Sequence, residues 1–124
     1  MSVVIEPTFE VAEYGRWAVM RVMGEIDMAT APRLRQHVQT VTARGPEGLV
    51  LDLDQVEFID STGLGVMVGA AKRMRINDGQ LRIVCSQPHL NELFELTRLN
   101  EVFDLYETLE DALHDVPGDH AGAG

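Results

Sequence analysis

Asp60-Ser61-Thr62 places a carboxylate and two hydroxyls side by side, directly ahead of Gly63-Leu64-Gly65. These residue types are the preferred caps of a helix N-terminus, and any of the three can take that part. A serine there sits at the positive end of a helix dipole, where a phosphate is stabilised. Two roles follow for Ser61: a plain cap, or a hydroxyl open to modification. Nucleophilic hydrolysis would need a histidine beside it. His37 falls within a helix, His89 opens one, and His114 and His120 border the C-terminal tail, so none clearly faces Ser61. Nor do the histidines show metal-binding spacing. Gly63, Gly65 and Gly69 are spaced G-x-G-x-x-x-G, which is not the dinucleotide fingerprint. The next strand ends Val84-Cys85-Ser86, with no acidic residue for a ribose. The chain therefore reads as a non-enzyme with no catalytic residue, no metal site and no cofactor of its own.

The elements that position this segment are legible on either side of it. Leu49, Leu51 and Leu53 alternate as one face of a strand crossing a core, with Val50 on the other face. Phe58 and Ile59 are expected to pack down a loop, and the helix to begin near Thr62 and run to Arg75 or Ile76. Asn77-Asp78-Gly79 ends it. Lys72, Arg73 and Arg75 at its end suit the helix dipole without any ligand. Gly63, Gly65 and Gly69 each cost the helix about 1 kcal/mol, and close packing on the sheet is the expected reason.

Upstream, Val3 to Val11 and Trp17 to Met23 read as an antiparallel hairpin turned at Tyr14-Gly15. Asp27 to Thr30 then offers helix-start residues, with Thr30 the expected N-cap and Pro32 tolerated in the first turn. Leu34, Val38 and Val41 recur at helical spacing before Arg44-Gly45-Pro46. Downstream come a strand from Leu81 to Cys85 and a helix opened by Pro88, with Leu90, Leu93, Phe94 and Thr97 on one face. A short strand follows from Val102-Phe103, then a last helix carrying Leu109, Ala112 and Leu113. Alternating strands and helices with short links imply parallel pairing and right-handed crossovers. The fold class is α/β: a mixed, mostly parallel sheet with an N-terminal antiparallel hairpin and about four helices. Residues 1–116 form one domain, and 117–124 read as a disordered tail. Asp27 follows one parallel strand and Ser61 the next, so the two are expected to approach each other at one sheet edge.

Composition narrows the partners. The 124 residues suffice for one core without a metal or disulfide staple. Twenty acidic residues against ten basic give a net charge of −10. Nucleic acid and anionic membranes repel such a surface, while a basic protein partner does not. The N-terminus has neither a basic start nor a long apolar run, so it does not read as a signal peptide. Cys85, the one cysteine, reads as a small buried hydrophobe. A cytoplasmic compartment is expected.

Asp60-Ser61-Thr62-Gly63-Leu64-Gly65 resembles the signature of the anti-sigma factor antagonist family, regulators built on the STAS domain. Gly24-Glu25-Ile26-Asp27 with Ala29-Thr30-Ala31-Pro32-Arg33-Leu34 resembles the family's first strand-to-helix crossing. Leu81 to Cys85 and Leu93 to Leu99 resemble its last βα unit. The resemblance covers about residues 3–115. It implies that Ser61 is phosphorylated by a partner, an anti-sigma factor that is also a serine kinase. The unphosphorylated chain would bind that kinase and so release a sigma factor, and a serine phosphatase would reset the switch. ATP and magnesium would belong to the kinase. Asp27, Asp60, Ser61, Thr62 and Gly63 would form the partner-binding surface, with Thr62 a capping residue. Asp27 is read equally as a helix-start residue. Two other readings stay open: a scaffold subunit of a stress-signalling assembly, and a small nucleotide-binding protein.

Overall fold

The computed structural model describes residues 8–118. A hairpin, β1 (Thr8–Tyr14) and β2 (Trp17–Ile26), leads into α1 (Ala31–Thr42), β3 (Gly48–Ile59), α2 (Ser61–Ile76) and β4 (Gln80–Val84). Then come α3 (Pro88–Leu96), a 3-10 turn at Leu99–Glu101, β5 (Asp104–Tyr106) and α4 (Leu109–Leu113). Among the described residues the expected first strand runs from Thr8 to Tyr14; its portion from Val3 to Pro7 lies outside them. Tyr14 faces Trp17 across a two-residue turn, and Gly15 takes the left-handed conformation (φ +60°) that this turn needs.

The five strands lie in chain order, β1 antiparallel to β2 and the rest parallel. Right-handed crossovers in that order put α1, α2 and α3 on one face of the sheet. There Leu34 and Val38 of α1, Met67 and Ala70 of α2, and Leu90 and Phe94 of α3 meet Leu49, Leu51 and Leu53 of β3. Val50 points to the opposite face, as the alternation predicts, and joins a smaller cluster of Trp17, Val19, Val84, Ala112 and Val116 under α4. The expected α/β architecture, with its hairpin start and four helices, is the one observed. Thr97 departs from its expected place on the packed face of α3: it is the exposed C-cap, and its hydroxyl donates back to the Leu93 carbonyl at 2.8 Å.

The loop expected after Leu53 is instead a continuation of β3. The strand pairs with β2 through Ile26↔Ile59, but the register slips twice, between Arg21/Met23 and between Gly24/Glu25. Each slip gives β3 one residue more than β2, as a β-bulge does. Gly24, at φ +107°, takes a backbone conformation that side-chain-bearing residues avoid. The core-facing residues therefore run Leu53, Val56, Ile59, spaced by three, and a period of two stops matching at Leu53. Ile59 is buried as expected. Phe58 is not packed down, since 49 % of it remains exposed.

β4 pairs with β3 only as far as Asp52↔Val84, so the upper half of β3 projects beyond it. Gln87 closes that side. Its amide donates to the carbonyls of Leu53 (3.2 Å), Asp54 (2.9 Å) and Val56 (2.5 Å). His89 Nε2 lies 3.0 Å from the Glu57 carbonyl. These bonds fix the strand that delivers Asp60 and Ser61.

The smaller face is clasped by the C-terminal segment. Arg82, buried on β4, donates to both carboxylate oxygens of Asp115 (2.6 and 3.0 Å) and to the Ala112 carbonyl (2.7 Å). Its guanidinium lies 4.3 Å from the Trp17 ring centroid. Asp115 holds the Arg82 pKa above its ordinary value, and Arg82 holds the Asp115 carboxyl below its own. Val116 is buried. Pro117 and Gly118, assigned to the tail by sequence, lie against the hairpin turn: a Cβ on Gly15 would come within 2.3 Å of the Pro117 carbonyl oxygen. The rest of the expected tail lies outside the described residues. Among the described residues no helix is long and apolar enough to cross a membrane.

Candidate functional site

Two parallel strands end side by side at Ile26 and Ile59, so the residues after them, Asp27 and Asp60, open neighbouring loops at one sheet edge. Parallel α/β sheets place working groups at this carboxyl edge. The Asp60 amide donates to the Ile26 carbonyl at 3.0 Å, which closes the junction.

Of the three possible caps, the fold uses Asp60. Its backbone is extended, and its Oδ1 accepts the amides of Thr62 (2.9 Å) and Gly63 (3.2 Å) and the Thr62 hydroxyl. Its other oxygen accepts the amide of Met28 at 3.1 Å, across to the β2–α1 loop. The Thr62 hydroxyl above all holds the Asp60 carboxyl below the usual carboxylate range; burial opposes it, and the Gly63, Thr62 and Met28 amides each add a smaller lowering.

Because Asp60 caps the helix, Ser61 is left over. It is the first residue of α2, it is exposed, and among the described residues its hydroxyl has no hydrogen-bond partner. Thr62 is half-buried and supports the cap. Gly63 is buried beneath the site, where a Cβ would come within 2.7 Å of Ile26 and 2.9 Å of Ile59. Its part is to let α2 approach the sheet, so it presents no surface to a partner. Close packing explains this glycine only: a Cβ on Gly65 or Gly69 would meet nothing within 4 Å.

Asp27 folds onto its own loop. Its Oδ1 accepts from the amides of Ala29 (2.9 Å) and Thr30 (3.1 Å) and lies 3.2 Å from the Thr30 hydroxyl. Thr30 is the N-cap of α1 by position, as expected, but its side chain does not cap. It lies 2.9 Å from both the Glu25 carbonyl and the Asp27 amide, donating to the first and accepting from the second. Asp27 supplies the loop's fixed carboxylate instead. Two exposed apolar residues stand close in sequence to the site: Met28, 76 % exposed and not singled out from sequence, and Phe58, expected to be packed down. A methionine within the otherwise small and polar Asp27-Met28-Ala29-Thr30 was the available signal.

No group of three or more His, Cys, Asp or Glu able to hold a metal occurs among the described residues. Among the described residues the strand order has no reversal. Cys85, directly after β4, is buried, and burial raises its thiol pKa.

A five-stranded sheet of this topology, with an exposed serine opening an Asp-capped helix at its carboxyl edge, is the arrangement of a STAS domain. The STAS domain family model matches residues 8–112, and the chain belongs to that family. The chain is 40 % identical over 86 residues to an anti-sigma-B factor antagonist of Listeria monocytogenes serovar 1/2a, a match spanning 68 % of this chain and 74 % of that one. It is similar in structure to an anti-sigma factor antagonist from Mycobacterium paratuberculosis, with a TM-score of 0.84, 37 % identity, and coverage of 94 % and 98 % of the two chains. The Bacillus cell fate determinant SpoIIAA in its phosphorylated form shares the fold, with a TM-score of 0.69 and 22 % identity over 88 % of this chain and 99 % of that one.

Proposed function

We propose that this chain is an anti-sigma factor antagonist switched by phosphorylation of Ser61. Unphosphorylated, it binds an anti-sigma factor that is also a serine kinase, and so frees a sigma factor. In the kinase step the Ser61 Oγ–P bond forms as the γ-phosphoryl of ATP leaves ADP, and the hydroxyl proton passes to a base on the kinase. The added charge of about −1.5 to −2 then sits in the docking surface and ends the complex. A serine phosphatase removes it. The docking surface comprises Ser61, Asp60, Asp27 and Thr62, with the Met28 and Phe58 side chains supplying apolar area.

One observation carries this reading: the fold caps α2 with Asp60 and leaves Ser61 exposed and unpartnered at the helix start. A hydroxyl needed for capping would be buried in hydrogen bonds and closed to a kinase. The names of the relatives support the antagonist part of the reading. The existence of a phosphorylated protein of the same fold supports the modification. The test is transfer of phosphate from ATP by the cognate kinase, read by peptide mass spectrometry. One phosphate on Ser61 is expected. Phosphate on Thr62, or full incorporation into Ser61→Ala, would overturn the assignment.

A further inference from the structure

We propose that Asp60 keeps the phosphate of modified Ser61 out of the α2 N-terminus, so that the phosphoryl group is displayed to solvent and partners while the tie to Met28 is preserved. This rests on the reading of Ser61 as the modified residue.

A phosphate at the first residue of a helix ordinarily turns inward, because the free amides of the first turn and the dipole both attract it. Here those donors are already taken. Asp60 Oδ1 holds the Thr62 and Gly63 amides, and the Leu64 amide goes to the Asp60 carbonyl at 3.1 Å. Only the amide of Ser61 itself remains in that turn. To reach the others, the phosphate would have to expel a carboxylate that also holds the Thr62 hydroxyl and, through its second oxygen, the Met28 amide. Two anions cannot share one set of donors without repulsion. The carboxylate has the advantage of position, since the extended backbone of the N-cap already aims it at these amides. Its depressed pKa agrees with a strongly held anion. The ionisable group opening the neighbouring loop, Asp27, is turned onto its own loop's Ala29 and Thr30 amides and offers the phosphate no cation.

Phosphorylation then adds charge next to Asp60 without rearranging the fold. A phosphatase can reach the phosphoryl group without first prying it from a helix, and the kinase meets two adjacent anions instead of one.

The experiment uses the full chain with phosphoserine installed at position 61 during translation, so no kinase is involved. Failure of a kinase to modify Ser61 would thus count against the proposed function and leave this measurement standing. Amide proton shifts and hydrogen exchange of Met28, Thr62 and Gly63 are compared with the unmodified chain. The expected result is that the three amide signals keep their positions and that Met28 keeps its exchange protection. In Asp60→Ala the phosphate should move in, and the Thr62 and Gly63 signals should shift downfield and follow the titration of the phosphorus resonance. Asp60→Asn, which retains a neutral acceptor, provides a second variant should the alanine form not fold, and a smaller shift in the same direction is expected. Downfield shifts of Thr62 and Gly63 with loss of Met28 protection in the phosphorylated parent would overturn the proposal. So would a phosphate titration that ignores both substitutions.

Discussion

The Asp60 carboxylate accepts the Met28 amide at 3.1 Å, joining two loops whose residues lie 32 positions apart in the chain. One side chain thereby caps α2, fixes the β2–α1 loop and leaves its neighbour Ser61 free.

Asp60→Ala is expected to lower stability by about 1 kcal/mol at neutral pH, the usual worth of an N-cap carboxylate. The effect should depend on pH with a definite sign. The folded pKa of Asp60 is depressed, so its contribution is fully present above the ordinary carboxylate value of about 4 and is lost as pH falls through the folded value. Denaturant melts of both proteins should therefore show a constant difference from about pH 5 upward that narrows below pH 4. A difference that widened in acid would contradict the assignment.

The three glycines of α2 should separate under substitution by alanine. Gly63→Ala forces a methyl within 2.7 Å of Ile26 and is expected to destabilise by about 1–3 kcal/mol. Gly65→Ala and Gly69→Ala place a methyl in open space and should each stabilise by about 0.5–1 kcal/mol through helix propensity. Thermal melts of the three variants decide this.

These contrasts also show what the sequence could reveal. Leu49, Leu51 and Leu53 announce β3 by period, and Asp60-Ser61-Thr62 announces a helix start by residue type, because both signals are local. The extension of β3 to Ile59 is hidden because two bulges turn a period of two into a spacing of three. Which hydroxyl or carboxylate would cap was not legible, since Asp60 wins through its reach to Met28 as well as to Thr62. The C-terminal clasp is invisible for the same reason. Arg82 and Asp115 are 33 residues apart, and nothing near either one announces the other.

The clasp supplies its own test. Asp115→Ala leaves the buried Arg82 guanidinium without its carboxylate, and Val116→Ala empties part of the small cluster. Both should lower the melting midpoint by several degrees and shift the emission of Trp17, the single tryptophan, which lies under Arg82. Unchanged emission and midpoint would mean that the clasp does not hold the segment.

Ser61→Asp should leave the fold intact, with a stability change of about 1 kcal/mol or less. The carboxylate gains from the helix dipole and loses to repulsion from Asp60. A collapsed, non-cooperative melt would make Ser61 a structural residue.

The most direct test of the switch is calorimetric titration of the cognate anti-sigma factor kinase, with ADP present, against wild type, Ser61→Ala and Ser61→Asp. Ser61→Ala should bind as wild type does, because a small neutral surface remains. Ser61→Asp should lose about tenfold or more, about 1.4 kcal/mol, because its charge must be desolvated in the interface without a partner. Equal affinities for all three proteins would show that charge at residue 61 does not control the complex.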